Sequence, residues 1–204
     1  MAALTRGLWL LRSAVGYALA ATGSASPARL AAPTPCAGWD LGILLAHVAD
    51  SMGVLSEAIT AGPAASGPPP GDGPSGGGSS GDDPLVTLRC RAAGLLAACA
   101  GAGPDERLVV IGDRWLPASM TAVAGALEIT VHGWDIAASC GCPRPVPPGL
   151  AAVLLPVAPL LVTPATRPGL FADPVRVPGR PVPGDQLVAF LGRQPRPPGT
   201  PGPA

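Results

Sequence analysis

Apolar residues recur every three or four positions along several stretches of this chain, a spacing that predicts amphipathic helices. The first helix is expected over residues 3–22. The second is expected from Asp40, a residue type that often caps a helix start, to about residue 60. Each helix has one apolar stripe that can pack against a neighbour. The stripes consist of Leu4, Leu8, Leu11, Val15 and Leu19, and of Leu41, Leu44, Leu45, Val48, Met52, Leu55 and Ile59.

A segment rich in Gly, Pro and Ser separates the second predicted helix from a third. Residues 62–83 (GPAASGPPPGDGPSGGGSSGDD) hold too few apolar side chains to offset the entropy of ordering, so a flexible loop is expected there. The third helix follows over about residues 84–101, with Asp83 and Pro84 at positions that favour a helix start. The loop is not expected to mark a domain boundary, because the helices on either side are too few to fold separately.

A fourth helix is expected from about residue 118 to residue 139. Residues 107–117 before it favour a short extended pair, and residues 147–163 after it favour a helix interrupted by proline. The sequence therefore predicts a single helical domain over residues 1–163. Residues 164–204 are expected to form a Pro-rich tail that packs on this domain or frays from it.

Composition supports helices and limits the classes of partner. Aromatic residues make up 3% of the chain, and the apolar fraction of 48% comes mainly from Ala, Leu and Val, which suits packed helices better than a β-sandwich. The 13 basic and 13 acidic residues give a formal charge of zero, and they form no basic stripe that could neutralise phosphates. Nucleic-acid binding is therefore not expected.

The sequence also predicts a cytoplasmic protein without a membrane partner. The N-terminus imitates a secretory signal, but Arg12 interrupts its apolar region. The apolar run at 150–163 is too short to span a bilayer and contains Pro156 and Pro159. The five cysteines have no metal-finger spacing, so they are expected to be reduced thiols.

The most informative polar residues are His47 and His132, which are the only histidines in the chain. Glu128 precedes His132 by four residues, so both side chains can lie on one face of the fourth helix. With His47 from the second helix, they offer two nitrogens and one carboxylate, a set typical of a catalytic zinc site with an open position. The alternative is that the three side chains form ordinary hydrogen bonds at the edge of the core.

Two aspartates could assist such a site. Asp50 lies three residues after His47 and either orients that ligand through a hydrogen bond or is an ordinary solvated helix residue. Asp135 either accepts a hydrogen bond from His132 or caps a neighbouring backbone group. The sequence leaves both choices open.

The remaining candidates favour structural roles. Trp39 and Trp134 each lie in a Gly-Trp-Asp tripeptide, and packing between helices is favoured over a substrate wall. Cys36 follows a proline, which favours a buried turn residue over a nucleophile. Ala124 and Gly125 lie one turn before the glutamate, where small residues would leave room for an ion and a ligand.

Two motifs resemble those of a known family. Residues 33–40 (PTPCAGWD), followed seven residues later by His47, and residues 128–135 (EITVHGWD) are similar to the N-terminal metal-binding domain of mycothiol-dependent maleylpyruvate isomerases. That domain resembles the wider DinB-like group of four-helix bundles. Residues 192–195 (GRQP) are similar to the ending of an actinobacterial subgroup.

The resemblance implies an all-α four-helix bundle in which His47, Glu128 and His132 hold a divalent ion, most often zinc, and act in catalysis through it. It also implies mycothiol as co-substrate and a thiol-dependent transferase or isomerase acting on a small electrophilic molecule. Two other hypotheses stay open: a hydrolase that uses metal-activated water, and a non-catalytic bundle that binds a metal or a small molecule. A homodimer is possible.

Overall fold

A computed structural model describes residues 3–61, 83–103, 106–111 and 114–195 of the chain. Four long helices dominate it: α1 (Ala3–Ala21), α2 (Leu41–Ala61), α3 (Pro84–Gly101) and α4 (Ala118–Ser139). A two-stranded hairpin, β1 (Leu108–Ile111) and β2 (Arg114–Pro117), precedes α4. Three short helices follow it, α5 (Pro148–Leu154), α6 (Ala158–Leu161) and α7 (Pro183–Phe190). The all-α bundle predicted from the sequence is confirmed.

Two of the long helices, α2 and α3, begin at the capping residues that the sequence indicated. Asp40 accepts a hydrogen bond from the backbone N–H of Ile43 through Oδ1 at 2.8 Å. Asp83 accepts one from the N–H of Leu85 at 2.9 Å, and Pro84 occupies the first turn, where no N–H is needed. Each cap satisfies a backbone donor that the helix itself leaves unpaired. The rest of the predicted flexible loop, residues 62–82, lies outside the described residues.

The core lies between the four helices. It consists mainly of Leu, Val, Ile and Ala, with few aromatic side chains. Helix α1 packs chiefly against α4, while α2 packs against both α3 and α4. The α1–α4 contact is close because Gly133 lies against the ring of Tyr17 and the backbone of Ala18. Small residues at such a contact let two helix backbones approach and bury the leucines around them. The fully buried leucines of the whole core include Leu4, Leu10, Leu11, Leu41, Leu44, Leu45, Leu88 and Leu95.

The hairpin forms where the sequence favoured an extended pair. Its strands are antiparallel, with Val109 opposite Leu116 and Val110 opposite Trp115. Val109 is buried and Trp115 is 55% exposed, so the sheet presents only part of its apolar surface to the bundle. Residues 112–113, between the two strands, lie outside the described residues.

The chain after α4 returns along the bundle. Prolines break the predicted helix at 147–163 into α5 and α6. The hydroxyl of Tyr17 on α1 donates to the carbonyl of Arg144 at 2.7 Å. This hydrogen bond joins the segment after α4 to the bundle. Further on, α7 packs against α5 and buries Leu187 and Val188. The division of the chain into residues 1–163 and 164–204 stays a prediction.

One described helix segment, Leu41–Thr60, passes a test of length and hydropathy for crossing a membrane, and half of its apolar stretch is buried inside the bundle. This signal is weak, because the core helix of a soluble protein gives it too. The same segment carries the polar side chains His47, Asp50 and Ser51.

The close α1–α4 contact predicts that Gly133→Val destabilises the protein. A Cβ at Gly133 would lie 3.0 Å from the Tyr17 ring and 3.1 Å from Cα of Ala18, so the larger valine must push the helices apart. We expect the free energy of unfolding, measured by urea denaturation, to fall by about 2 kcal/mol. Gly16→Val is the matched control, because Gly16 is an exposed glycine within α1 with open space around its Cα. The control should be neutral or slightly stabilising, and equal losses in both variants would contradict this packing.

Candidate metal centre

The turn that leads into α2 places two side chains at the end of the bundle. Pro33 and Asp40 pair across this turn as an isolated β-bridge. Inside it, the hydroxyl of Thr34 accepts from the N–H of Cys36 at 3.1 Å and donates to the carbonyl of Trp39 at 2.9 Å. These bonds satisfy backbone groups that lie outside any helix. They hold Cys36 and Trp39 over the facing surfaces of α2 and α4.

His47, Glu128 and His132 meet below this turn. Each offers one ligand atom, and the three atoms all lie within 4.8 Å of one another. His47 Nε2 is 3.3 Å from Glu128 Oε1, and the two imidazole ring centres are 5.0 Å apart with planes at 87°. Trp39 packs edge-on against His47, at 4.8 Å between ring centres. The structure therefore brings together the three residues that the sequence singled out as metal ligands.

The Glu128 carboxylate is held in its ionised form. Burial opposes ionisation, but hydrogen bonds from His47 and Ser51 outweigh it and lower the pKa of Glu128. Ser51 lies one turn after His47 on α2, and its hydroxyl donates to Glu128 Oε1 at 2.5 Å. An anionic oxygen beside two imidazole nitrogens is the donor chemistry that zinc and similar divalent ions accept.

A buried chain of polar contacts extends from His132 to the end of the described chain. His132 Nδ1 lies 3.1 Å from Asp135 Oδ2, so the hydrogen bond that the sequence left open is present. Arg193 donates to both oxygens of Asp135, from Nε at 3.1 Å and from Nη2 at 2.8 Å. Asp135 is fully buried and Arg193 is 6% exposed. Because an ionised carboxylate accepts the proton on Nδ1, the Nε2 lone pair of His132 is left for a ligand role.

The charge of Asp135 is stabilised inside the protein. Burial raises its pKa, but hydrogen bonds from His132 and Arg193 have the larger combined effect, so the pKa of Asp135 lies below its usual value. The same carboxylate acts on Cys36, whose Sγ lies 3.3 Å from Asp135 Oδ2. Burial, followed by the nearby negative charge, raises the pKa of Cys36 to about 11, so the group is a thiol at neutral pH.

Cys36, His132 and Asp135 form a second group whose ligand atoms lie within 4.8 Å of one another. This group suits a metal less well. Both oxygens of Asp135 already accept hydrogen bonds from Arg193, whose guanidinium also contacts the Cys36 sulfur, so an ion there would lie next to a buried positive charge. We therefore assign these contacts to the support of His132 rather than to a second ion.

The three candidate ligands open into a cavity of about 700 Å³. The turn before α2 forms one side of it, through Cys36 and Trp39, and α4 contributes Ala124 and Leu127. The chain after α4 contributes Leu161, Val162, residues 169–172 and Arg193 to the lining. A cavity of this size can hold a small molecule beside the ligand atoms.

The other predicted residues fall in different places. Asp50 is exposed and does not line the cavity, so its expected contact with a ligand stays a prediction. Trp134 packs against the core as the sequence favoured, whereas Trp39 packs on His47 and also lines the cavity. Of the two small residues before Glu128, Ala124 faces the cavity and Gly125 packs against Leu55.

Sequence reasoning gave no role to Ser51 or Arg193. Ser51 shares the helix row of His47, one turn on, and this spacing could have indicated that it reaches Glu128. For Arg193 the available signal was the GRQP ending. Gly192 has φ +83°, and a Cβ there would lie 2.6 Å from the carbonyl oxygen of Ala172. Glycine at this position lets the chain turn so that Arg193 enters the core.

Comparisons with known proteins fit this geometry. The family described as mycothiol maleylpyruvate isomerase N-terminal domain matches residues 11–137, which include all three candidate ligands. Two uncharacterized proteins of Mycobacterium tuberculosis, from strains CDC 1551 / Oshkosh and ATCC 25618 / H37Rv, are each 32% identical over 171 residues. These alignments cover 81% of this chain and 85% of each relative. No solved structure matches the chain.

The buried ion pair predicts that Arg193→Met destabilises the protein. The substitution keeps an unbranched side chain but leaves the Asp135 carboxylate buried without its cation. We expect the free energy of unfolding of the metal-free protein to fall by about 3 kcal/mol in urea denaturation. Adding Asp135→Asn in the same chain should recover part of that loss, because the uncompensated charge is then removed.

Arg176→Met is the matched control for this prediction, since Arg176 is exposed on the same part of the chain. Its effect should stay within about 0.5 kcal/mol. Equal stability of the Arg193→Met and Arg176→Met variants would show that the pair does not form in solution.

Proposed function

The chain belongs to the mycothiol maleylpyruvate isomerase N-terminal domain family, and from that premise we propose that it is a metal-dependent and thiol-dependent transferase or isomerase. Its substrate is a small electrophilic molecule, and mycothiol is the co-substrate. The observation that carries the proposal is the convergence of His47, Glu128 and His132 at the floor of one cavity. Two nitrogens and one carboxylate leave a position open for a further ligand.

The spacing of these side chains fits a divalent ion. Tetrahedral bonds of about 2.0–2.1 Å place ligand atoms roughly 3.4 Å apart. The separation of 3.3 Å between His47 Nε2 and Glu128 Oε1 matches that value, and the full set within 4.8 Å needs only small side-chain rotations. Ser51 and Asp135, bonded to Glu128 and His132, support two of the three ligands from outside.

A divalent ion held by these residues would lower the pKa of a thiol and keep it as the thiolate, which is the nucleophilic form. The chain itself orients the reactants. Trp39 and Leu127 line the space next to the histidines and keep water from part of it. The thiolate sulfur would form a bond to an electrophilic carbon of the substrate while a π or ring bond to that carbon breaks, and its electron pair would pass to a neighbouring atom that takes up a proton. In a transfer the sulfur stays on the product, and in an isomerisation the carbon–sulfur bond breaks again after the substrate has rearranged.

The same proposal includes the native metal, which is zinc because the donor set suits it. Asp50 serves as an additional support for His47. The protein works in the cytoplasm on small molecules, without nucleic acid or membrane partners, either as a monomer or as a homodimer. Residues 1–163 form the metal-binding domain, and residues 164–204 form a tail that packs on it.

Metal stoichiometry tests the assignment of the ligands. Elemental mass spectrometry on the untagged protein should give about one zinc or similar ion per chain. His47→Ala, Glu128→Ala and His132→Ala should each lose most of this metal, because one ligand of an open site contributes more to affinity than to packing. Circular dichroism should show that the helices remain.

Glu57→Ala is the matched control, since Glu57 is an exposed glutamate on α2. It should keep the metal content of the unmodified protein. Full metal content in the three ligand variants would refute the site, and a metal-free protein after careful handling would favour a bundle without metal-dependent catalysis.

Thiol dependence tests the reaction class. With the metal-loaded protein, turnover of small electrophiles should require mycothiol and should fall by at least about 100-fold in His132→Ala. Product mass distinguishes transfer, which retains the sulfur, from isomerisation, which does not. Equal turnover without any thiol, with water added to the product, would instead identify a metal-dependent hydrolase.

A further inference from the structure

We infer that the substrate of this cavity is an uncharged electrophile with an apolar body, rather than a carboxylate or another anion. The inference rests on the proposed function and specifies its substrate class. It comes from the part of the cavity lining that is formed by residues after α4. These residues lie beyond the family match, which ends at residue 137.

The large apolar residues of this part of the lining, here called the apolar wall, are Leu161, Val162, Leu170 and Phe171. Trp39 and Leu127 extend the same apolar surface towards the histidines. Leu170 is 71% exposed, so one large apolar side chain lies at the mouth without cover. A bound molecule that contacts the wall would remove this apolar surface from water, at about 25 cal/mol for each Å² buried.

Several polar groups near the wall are already paired with one another. The N–H groups of Leu170 and Phe171 both donate to the carbonyl of Arg167, at 3.0 and 2.9 Å. The Arg167 guanidinium donates to the carbonyls of Ala172 and Phe190 at 2.6 and 3.0 Å. Because these groups bind one another, they do not offer donors to a substrate anion.

The charged side chains that line the cavity are also already paired with groups of the protein. Arg193 is the one cationic residue among its described lining residues besides the histidines, and it donates to both oxygens of Asp135 and to the carbonyl of Leu191. Its remaining contacts are the Cys36 sulfur, at 3.5 Å, and the ring of Phe171. Glu128 and the thiolate of the proposed function together balance a divalent ion. A carboxylate on the substrate would therefore be desolvated without a partner, which costs several kcal/mol.

The reaction that this substrate class permits is a simple addition. With an aryl epoxide, sulfur attacks a ring carbon, a C–S bond forms, and the C–O bond breaks with its electron pair going to oxygen. The proton lost by the thiol ends on that oxygen, so the product is an uncharged hydroxy thioether apart from the groups of the thiol itself. No oxidant or further reactant is needed.

Two epoxides of similar size test the inference. Styrene oxide is uncharged, and its para-carboxylate carries one negative charge at neutral pH. Their dissociation constants are measured by ligand-observed NMR on the zinc-loaded full chain with saturating thiocyanate, an anion that fills the open position of zinc in place of the thiolate. We expect styrene oxide to bind at least about tenfold more tightly than the carboxylate. Equal binding, or tighter binding of the carboxylate, would overturn the inference.

A pair of lysine variants then tests whether the preference for styrene oxide over its carboxylate arises at the apolar wall. Leu170→Lys places a cation at the wall and should reduce the preference for styrene oxide by at least about threefold. Leu160→Lys is the matched control, because Leu160 is 76% exposed and does not line the cavity. It should leave the preference unchanged. Equal changes in both variants would show that the selectivity does not arise at the wall.

Adding mycothiol separates this inference from the proposed function. Thioether from styrene oxide with little from the carboxylate supports both. Thioether formed equally from the two epoxides supports the proposed function and overturns the inference. Tighter binding of styrene oxide with no thioether from either compound overturns thiol addition to this class and leaves only an apolar ligand site.

Discussion

The buried ion pair between Asp135 and Arg193 connects the two parts of the chain that form the site. Asp135 belongs to α4 and is fully buried, so its negative charge must be balanced inside the protein. Arg193 provides that balance from a segment that follows α7. The same carboxylate holds the ring of His132. The position of the C-terminal segment and the orientation of a candidate metal ligand thus depend on one interaction.

Helix packing decides where the polar residues can meet. On one side of α4, Gly133 allows Tyr17 and Ala18 of α1 to approach closely. Another side of α4 faces α2 and carries Glu128 and His132 towards His47. The small residues that permit close contact therefore leave the candidate ligands directed at a neighbouring helix rather than at solvent.

The cavity has two chemically different sides. Its floor carries His47, Glu128 and His132, which lie within the residues that match the family. Leu161, Val162 and residues 169–172, which follow the end of the match, form a mostly apolar part of the same lining. The candidate ligands and these apolar residues therefore come from different parts of the chain.

The sequence by itself determined the long helices, because periods of three and four and the caps Asp40 and Asp83 are local signals. It also singled out His47, Glu128 and His132, because few residues of those types lie at ligand spacing. Asp135 was recognised as a candidate with two open roles. Only weak local signals pointed to the roles of Ser51 and Arg193, since a serine and an arginine have many uses and their partners, Glu128 and Asp135, are 77 and 58 residues away in the chain. Only the tertiary structure decided these pairings and the apolar wall, because both depend on which distant segments pack together.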